Sequence, residues 1–158
     1  VWGGFWLVAL ALVLVSRLAD GLDGAVARAT AISDFGGYFD IFADFTFYAA
    51  IPLAFVLFDP VTNGAAGAFL LATFYVNAAS FLGFAILAEK AQMRTDAQGL
   101  KSIYFSNGLL EGTETIVFFV ALCLFPASFV PMALAFGALC LLTAALRLAA
   151  AARLFRRG

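Results

Sequence analysis

Apolar residues run through this chain in long blocks that charged residues rarely interrupt. Five blocks approach or exceed the roughly 20 mostly apolar residues that a helix needs to cross a bilayer. They cover about 2–18, 35–58, 64–88, 103–125 and 129–152. Residues that break helices mark tight turns at 59–63 and 126–128, and a longer polar loop covers 90–101. The pattern predicts an all-α, polytopic membrane helix bundle with five transmembrane helices.

The composition supports a membrane location. Hydrophobic residues make up 65% of the chain and charged residues 12%, whereas soluble domains average about 45–50% and about 25%. A net charge of −1 gives no basic surface for nucleic acid. The chain has no histidine, so carboxylates must do any acid–base or metal chemistry. Cys123 and Cys140 lie in apolar blocks and are interpreted as buried thiols without a disulfide or redox role.

The basic residues predict an orientation, because Lys and Arg concentrate in cytoplasmic loops. If the five helices alternate in direction, all nine basic residues fall at one side of the membrane. These residues are Arg17, Arg28, Lys90, Arg94, Lys101, Arg147, Arg153, Arg156 and Arg157. We therefore expect segment 20–34 and the carboxy terminus to face the cytoplasm.

Four aspartates flank the first predicted loop. Asp20 and Asp23 share one helix face, and Asp40 and Asp44 share a face of the next helix. If the two helices form an antiparallel hairpin, the four carboxylates converge near the membrane border. Their mutual repulsion would be relieved by divalent cations, and oxygen ligands without His or Cys favour Mg²⁺ or Mn²⁺.

Small residues and one arginine accompany these aspartates. Gly24, Ala27, Gly36 and Gly37 leave the helix faces nearly bare, so that a bulky ligand can approach the backbone closely. Arg28 can bind a phosphate through two parallel hydrogen bonds. Carboxylates, a divalent metal and an arginine beside bare backbone suit a diphosphate substrate.

The arrangement resembles the signature of the CDP-alcohol phosphatidyltransferases. It reads Asp20-x-x-Asp23-Gly24-x-x-Ala27-Arg28, followed by Gly36-x-x-x-Asp40-x-x-x-Asp44. The resemblance covers about 25 residues, and the rest of the chain agrees in hydropathy alone. The gap between Arg28 and Gly36 is one residue shorter than is usual in the family, a difference that falls in the loop.

The resemblance implies six transmembrane helices and a homodimer. Because the first predicted helix carries the first half of the signature, the family's first helix is expected to be missing. We therefore expect 1–158 to be a single membrane-embedded domain truncated at its amino terminus. Its similarity to bacterial phosphatidylglycerophosphate synthases implies a place in the bacterial inner membrane, with the active site facing the cytoplasm.

The resemblance also implies residue roles. Asp20, Asp23 and Asp40 would bind the metal, as two ions of Mg²⁺ or Mn²⁺. Asp44 would be a further ligand or the general base that takes the proton of the acceptor hydroxyl. The cytidine nucleotide would lie against Gly24, Ala27 and Gly36, and its diphosphate against Arg28.

The implied reaction belongs to phospholipid biosynthesis. The acceptor oxygen attacks the lipid-bearing phosphorus of CDP-diacylglycerol, and CMP leaves. Arg94, Lys101 and Arg147 mildly favour a phosphate-bearing small alcohol such as glycerol 3-phosphate as the acceptor. Arg147 could equally extend to the membrane interface. Glu111 and Glu114 could shape the acceptor site or simply begin a helix.

Two other functions use similar residues. An intramembrane prenyltransferase also binds a diphosphate through aspartates and Mg²⁺, but normally with two separate aspartate clusters. A transporter could conduct ions past carboxylates, but this function would leave the glycines and Arg28 without a role. The single aspartate hairpin favours phosphatidyl transfer over both.

Overall fold

The computed structural model describes residues 6–16, 34–91 and 112–155. Five α-helices lie in these ranges, with a 3₁₀ turn at Pro126–Ser128. They are α1 (Trp6–Ser16), α2 (Asp34–Phe58), α3 (Pro60–Lys90), α4 (Gly112–Leu124) and α5 (Phe129–Phe155). Three of the helical segments are long and apolar enough to span a membrane, namely α2, α3 and α5 with its 3₁₀ turn. The predicted all-α membrane bundle is confirmed.

α2 and α3 form an antiparallel hairpin around Asp59. The carboxylate of Asp59 accepts a hydrogen bond from the backbone N–H of Thr62 at 3.0 Å and caps α3. This bond holds the pKa of Asp59 below its ordinary value. The amide of Asn63 donates to the carbonyl of Phe55 at 2.9 Å and ties the two helices together.

The predicted non-helical turn at 59–63 is therefore wrong beyond its first residue. α3 begins at Pro60 rather than at about 64. Proline is well tolerated in the first turn of a helix, where its missing N–H would have no intrahelical partner. The Asp59 cap together with Pro60 starts the helix at the point where the sequence pattern indicated only a helix breaker.

Close helix packing depends on two glycines. A Cβ at Gly67 of α3 would overlap the side chain of Val56 in α2. A Cβ at Gly137 of α5 would lie 2.6 Å from the ring of Phe69 in α3. These positions let α3 approach α2 on one side and α5 on the other.

α3 and α5 run in the same direction. Phe129 at the start of α5 lies beside Gly67, while Phe155 at its end contacts Phe84, with ring centroids 5.5 Å apart. The sequence predicts the same relation, because successive spans that alternate in direction give the third and fifth spans the same direction.

An aromatic core fills the bundle near the hairpin. Phe55 of α2 stacks on Phe129 of α5 with ring centroids 4.6 Å apart, and Trp6 of α1 stacks on Phe55 at the same distance. Further from the hairpin, Phe119 of α4 is fully buried. The core therefore fixes the carboxy-terminal half of α2, and this half positions the rest of the helix.

Candidate functional site

The described part of the predicted site is the amino-terminal half of α2, which carries Gly36, Asp40 and Asp44. The other predicted site residues, Asp20, Asp23, Gly24, Ala27 and Arg28, lie outside the described residues. Convergence of the two aspartate pairs therefore stays a prediction.

Asp40 and Asp44 form one line along α2. Residues four apart lie on the same helix face, about 6 Å apart along the axis. Every residue from 34 to 43 is exposed, whereas Asp44 is half-buried. A Cβ at Gly37 would meet none of the described residues within 4 Å. The amino-terminal end of α2 is therefore exposed, and it carries the carboxylate of Asp40.

The chemistry of these residues fits a divalent cation in part. Asp40 and Asp44 supply oxygen ligands of the kind that Mg²⁺ and Mn²⁺ prefer. Within 6–16, 34–91 and 112–155, no group of three or more possible metal ligands occurs. A complete site would need Asp20 and Asp23 in addition.

Tyr48 continues the aspartate line by one more turn, a position that the sequence analysis missed. Its ring centroid lies 5.9 Å from that of Phe119 in α4 and 6.5 Å from that of Phe74 in α3. Its hydroxyl lies beside Gly112 of α4, where a Cβ would be 3.2 Å away. The spacing of four from Asp44 was the available sequence signal.

Arg147 of α5 is buried and bound to α3. Its Nη1 donates to Ser80 Oγ at 2.7 Å and to Asn77 Oδ1 at 3.0 Å. The guanidinium carbon lies 5.6 Å from the ring centroid of Phe81. These contacts make the interpretation of Arg147 as an interface-seeking side chain wrong. Asn77 and Ser80 are therefore hydrogen-bond partners between the two helices.

The guanidinium lies at a depth similar to that of the aspartates. At 1.5 Å per residue from the hairpin, Asp44 lies about 21 Å along α2. By the same rise, Asp40 lies about 27 Å along α2, and Asn77 about 26 Å along α3. The antiparallel hairpin thus brings Arg147, through Asn77, to the level of Asp40 and Asp44.

The remaining candidates are only partly described. Glu114 is exposed near the beginning of the described part of α4. Glu111, Arg94 and Lys101 lie outside the described residues. Cys123 and Cys140 are both free and buried, which confirms that they form no disulfide.

Comparison with known proteins identifies the class to which this membrane helix bundle belongs. The model of the CDP-alcohol phosphatidyltransferase family matches residues 3–152, and the chain belongs to this family of enzymes. Inner membrane protein YnjF of Escherichia coli (strain K12) is 49% identical over 140 residues. The match covers 89% of this chain and 68% of YnjF. No solved structure matches the chain significantly.

Proposed function

We propose that this enzyme transfers a phosphatidyl group from CDP-diacylglycerol to a small alcohol and releases CMP. The observation that carries the proposal is the line of Asp40 and Asp44 on the open end of α2, in a chain of this family. We place the reaction at the cytoplasmic side of a bacterial inner membrane. The distribution of basic residues and the relative's description as an inner membrane protein support this location.

The residues would divide the chemistry between them. Asp20, Asp23 and Asp40, with or without Asp44, would hold two ions of Mg²⁺ or Mn²⁺, which neutralise diphosphate charge when bound. Asp44 would take the proton from the acceptor hydroxyl. The acceptor oxygen then forms a bond to the lipid-bearing phosphorus, while the bond from this phosphorus to the oxygen of CMP breaks. Proximity and charge neutralisation would supply most of the acceleration.

The nucleotide would bind along the small residues. Gly36, next to the open space at Gly37, would face the cytidine together with Gly24 and Ala27. Arg28 would bind the diphosphate through its planar fork. These assignments follow the positions of the residues in the motif.

A phosphate-bearing acceptor, glycerol 3-phosphate, is the acceptor that we favour. A buried cation within a membrane is costly and is a functional candidate for that reason. Arg147 lies at the depth of the aspartates, held in place by Asn77 and Ser80. One turn away, the hydroxyl of Thr143 is fully buried without a hydrogen-bond partner among the described residues. A cation and a donor hydroxyl on one face of α5 are groups that recognise a phosphate.

CMP release tests the reaction. The purified protein in liposomes is given CDP-diacylglycerol, Mg²⁺ or Mn²⁺, and in turn glycerol 3-phosphate, inositol phosphate, serine and inositol. We expect CMP release that requires the metal, stops with a chelator and is fastest with glycerol 3-phosphate. Release with another acceptor alone would contradict the acceptor assignment. Release with none would contradict the proposed reaction, and prenyl diphosphates would then be tested as donors.

Arg147→Lys tests the acceptor site, because lysine keeps the charge but loses the planar fork. We expect the KM for glycerol 3-phosphate to rise at least tenfold, while the KM for CDP-diacylglycerol stays within twofold. Arg153→Lys, an exposed change in the last turn of the same helix, is the control. Equal increases in both KM values, with a lower melting temperature, would make Arg147 a structural link between α3 and α5 only.

The orientation can be tested by cysteine labelling at the two ends of α3. Val61, near the hairpin, is 96% exposed, and Lys90 is exposed at the other end. Asn63 lies at the same end of α3, but its side chain is buried and would not be accessible to the reagent. We expect Val61→Cys to react with an impermeant reagent applied to the periplasmic side, and Lys90→Cys to react only after permeabilisation. The reverse pattern would contradict the orientation.

We also propose that the protein works as a homodimer and that 1–158 is a single domain. Both proposals rest on the family resemblance. Crosslinking in native membranes at low protein density is expected to give a dimer band. A band of monomer size alone would contradict the dimer.

A further inference from the structure

We propose that Tyr48 is a positioning residue for the transfer reaction, and that its hydroxyl orients the carboxylate of Asp44 for the acceptor. The inference rests on the proposed function, because it assigns a partner to the residue that would act as the base. It also gives Gly112 a role, since this glycine leaves room for the hydroxyl.

The first observation behind this proposal is the position of Tyr48 on α2. Asp40, Asp44 and Tyr48 follow one another at intervals of four, so they lie along one helix face. Exposure falls along this line, from exposed Asp40 to half-buried Asp44 and Tyr48. Tyr48 therefore stands at the inner end of the aspartate line, between the open end of α2 and the packed core.

The second observation is the direction of the Tyr48 side chain. Long side chains in a helix lean towards its amino terminus, over the residues three and four positions earlier. The ring of Tyr48 lies 6.4 Å from that of Phe45, three positions earlier, as this rule predicts. The same lean places the tyrosine over the turn that holds Asp44.

The third observation is the set of residues that surround the Tyr48 ring. Phe74 of α3 and Phe119 of α4 contact the ring at centroid distances of 6.5 Å and 5.9 Å. Three helices therefore fix the ring, and a fixed ring gives its hydroxyl a defined position. A tyrosine hydroxyl can donate a hydrogen bond, and a carboxylate accepts strongly.

The fourth observation is the close approach of Gly112 to the Tyr48 hydroxyl. A Cβ at this position would lie 3.2 Å from the hydroxyl oxygen of Tyr48, closer than ordinary packing allows. Glycine therefore lets the start of the described part of α4 lie directly against the hydroxyl. An alanine here would displace the hydroxyl by a few tenths of an ångström, enough to disturb a hydrogen bond to Asp44.

Tyr48→Phe removes the hydroxyl but keeps the ring and its contacts. We expect kcat for CMP release to fall about tenfold, consistent with the loss of one orienting hydrogen bond. The KM for CDP-diacylglycerol, the half-saturating Mg²⁺ concentration and the melting temperature should stay close to those of the wild type. Tyr75→Phe, at a 78% exposed position on α3, is the matched control and should match the wild type in every measurement.

Gly112→Ala completes a double-mutant cycle with Tyr48→Phe. Alone, Gly112→Ala should lower kcat by a factor similar to that of Tyr48→Phe. Combined with Tyr48→Phe it should add no further loss, because the atom that the new methyl group meets is gone. Independent, multiplied losses would overturn the link between Gly112 and the hydroxyl.

Two outcomes separate this inference from the proposed function. If the wild type releases CMP and Tyr48→Phe retains its full kcat, the positioning role is overturned while the proposed function stands. A parallel loss of kcat, metal affinity and melting temperature would also overturn it, since a merely structural role gives that pattern. Absence of CMP release by the wild type with every acceptor contradicts the proposed function itself.

Discussion

The two ends of α2 differ sharply in what surrounds them. Near the hairpin, Pro52 and Phe55 are buried, and Phe55 lies between Trp6 and Phe129. At the other end, residues 34–43 are all exposed and include Gly36, Gly37 and Asp40. One helix thus carries an anchored aromatic end and an open acidic end.

The difference separates stability from chemistry. Burial of large aromatic side chains fixes the carboxy-terminal end of the helix, while Asp40 at the amino-terminal end is exposed. Changes at the open end should therefore alter activity and leave the melting temperature unchanged. Changes at the anchored end should do the opposite, and the following variants test this division.

Asp44→Asn is expected to have the largest of these effects. If Asp44 is the base, turnover should fall by about 10²–10⁴-fold, because the amide cannot take the proton. The half-saturating Mg²⁺ concentration should change much less, and the melting temperature should not change. Asp34→Asn, also at the open end but outside the signature, is the control and should keep full activity. Equal losses of rate and metal affinity would make Asp44 an ordinary ligand.

Phe55→Ala removes the centre of the anchored end. Loss of this buried ring should lower the free energy of unfolding by about 3–5 kcal/mol, through lost burial and a cavity. Activity per folded molecule should stay within about twofold of the wild type. Leu57→Ala, at a position that is 70% exposed, should change neither quantity. Thermal unfolding in detergent and CMP release from the folded fraction provide both values, and a loss of activity without loss of stability would contradict the division.

Gly67→Ala tests the close contact of α2 with α3. The added methyl group would overlap Val56, so we expect the free energy of unfolding to fall by about 1–3 kcal/mol. Gly64→Ala places the same group on the same helix, where no described residue lies within 4 Å. Denaturant titration of the two variants should separate them. Equal stability would show that α2 and α3 can shift apart without cost.

Asp59→Ala should have the smallest effect, a slight fall in melting temperature from loss of the α3 cap. Because the hydrogen bonds from Thr62 lower the pKa of Asp59, its charged form stabilises the fold above the ordinary pKa. This contribution disappears as the pH falls through the lowered pKa. Asp59→Asn should retain the cap and lose the pH dependence. A pH series of melting temperatures checks both expectations, and identical curves for Asp59→Asn and the wild type would contradict the second.

The sequence was sufficient for the all-α membrane architecture, the relative directions of α3 and α5, and the alignment of Asp40 with Asp44. These properties depend on local hydropathy and on the 3.6-residue helical repeat. The start of α3 was missed because a cap and a proline at its first position read as a turn. The sequence pattern did not assign these residues to the helix that they begin.

Contacts between distant segments could not be predicted in the same way. Arg147 and Asn77 are 70 positions apart, and nothing in either helix alone indicates that they form a hydrogen bond. The position of Tyr48 beside Gly112 likewise depends on how α4 packs against α2. Such pairings follow from tertiary packing, whereas the aspartate line follows from a single helix.

The most direct test of the account is CMP release by Asp40→Asn compared with the wild type in the same liposomes. The reaction contains CDP-diacylglycerol, Mg²⁺ and glycerol 3-phosphate, and the melting temperature of each protein is measured in parallel. The account predicts that Asp40→Asn abolishes metal-dependent CMP release while its melting temperature equals that of the wild type. Wild-type CMP release by a folded Asp40→Asn variant would contradict the assignment of chemistry to the open end of α2.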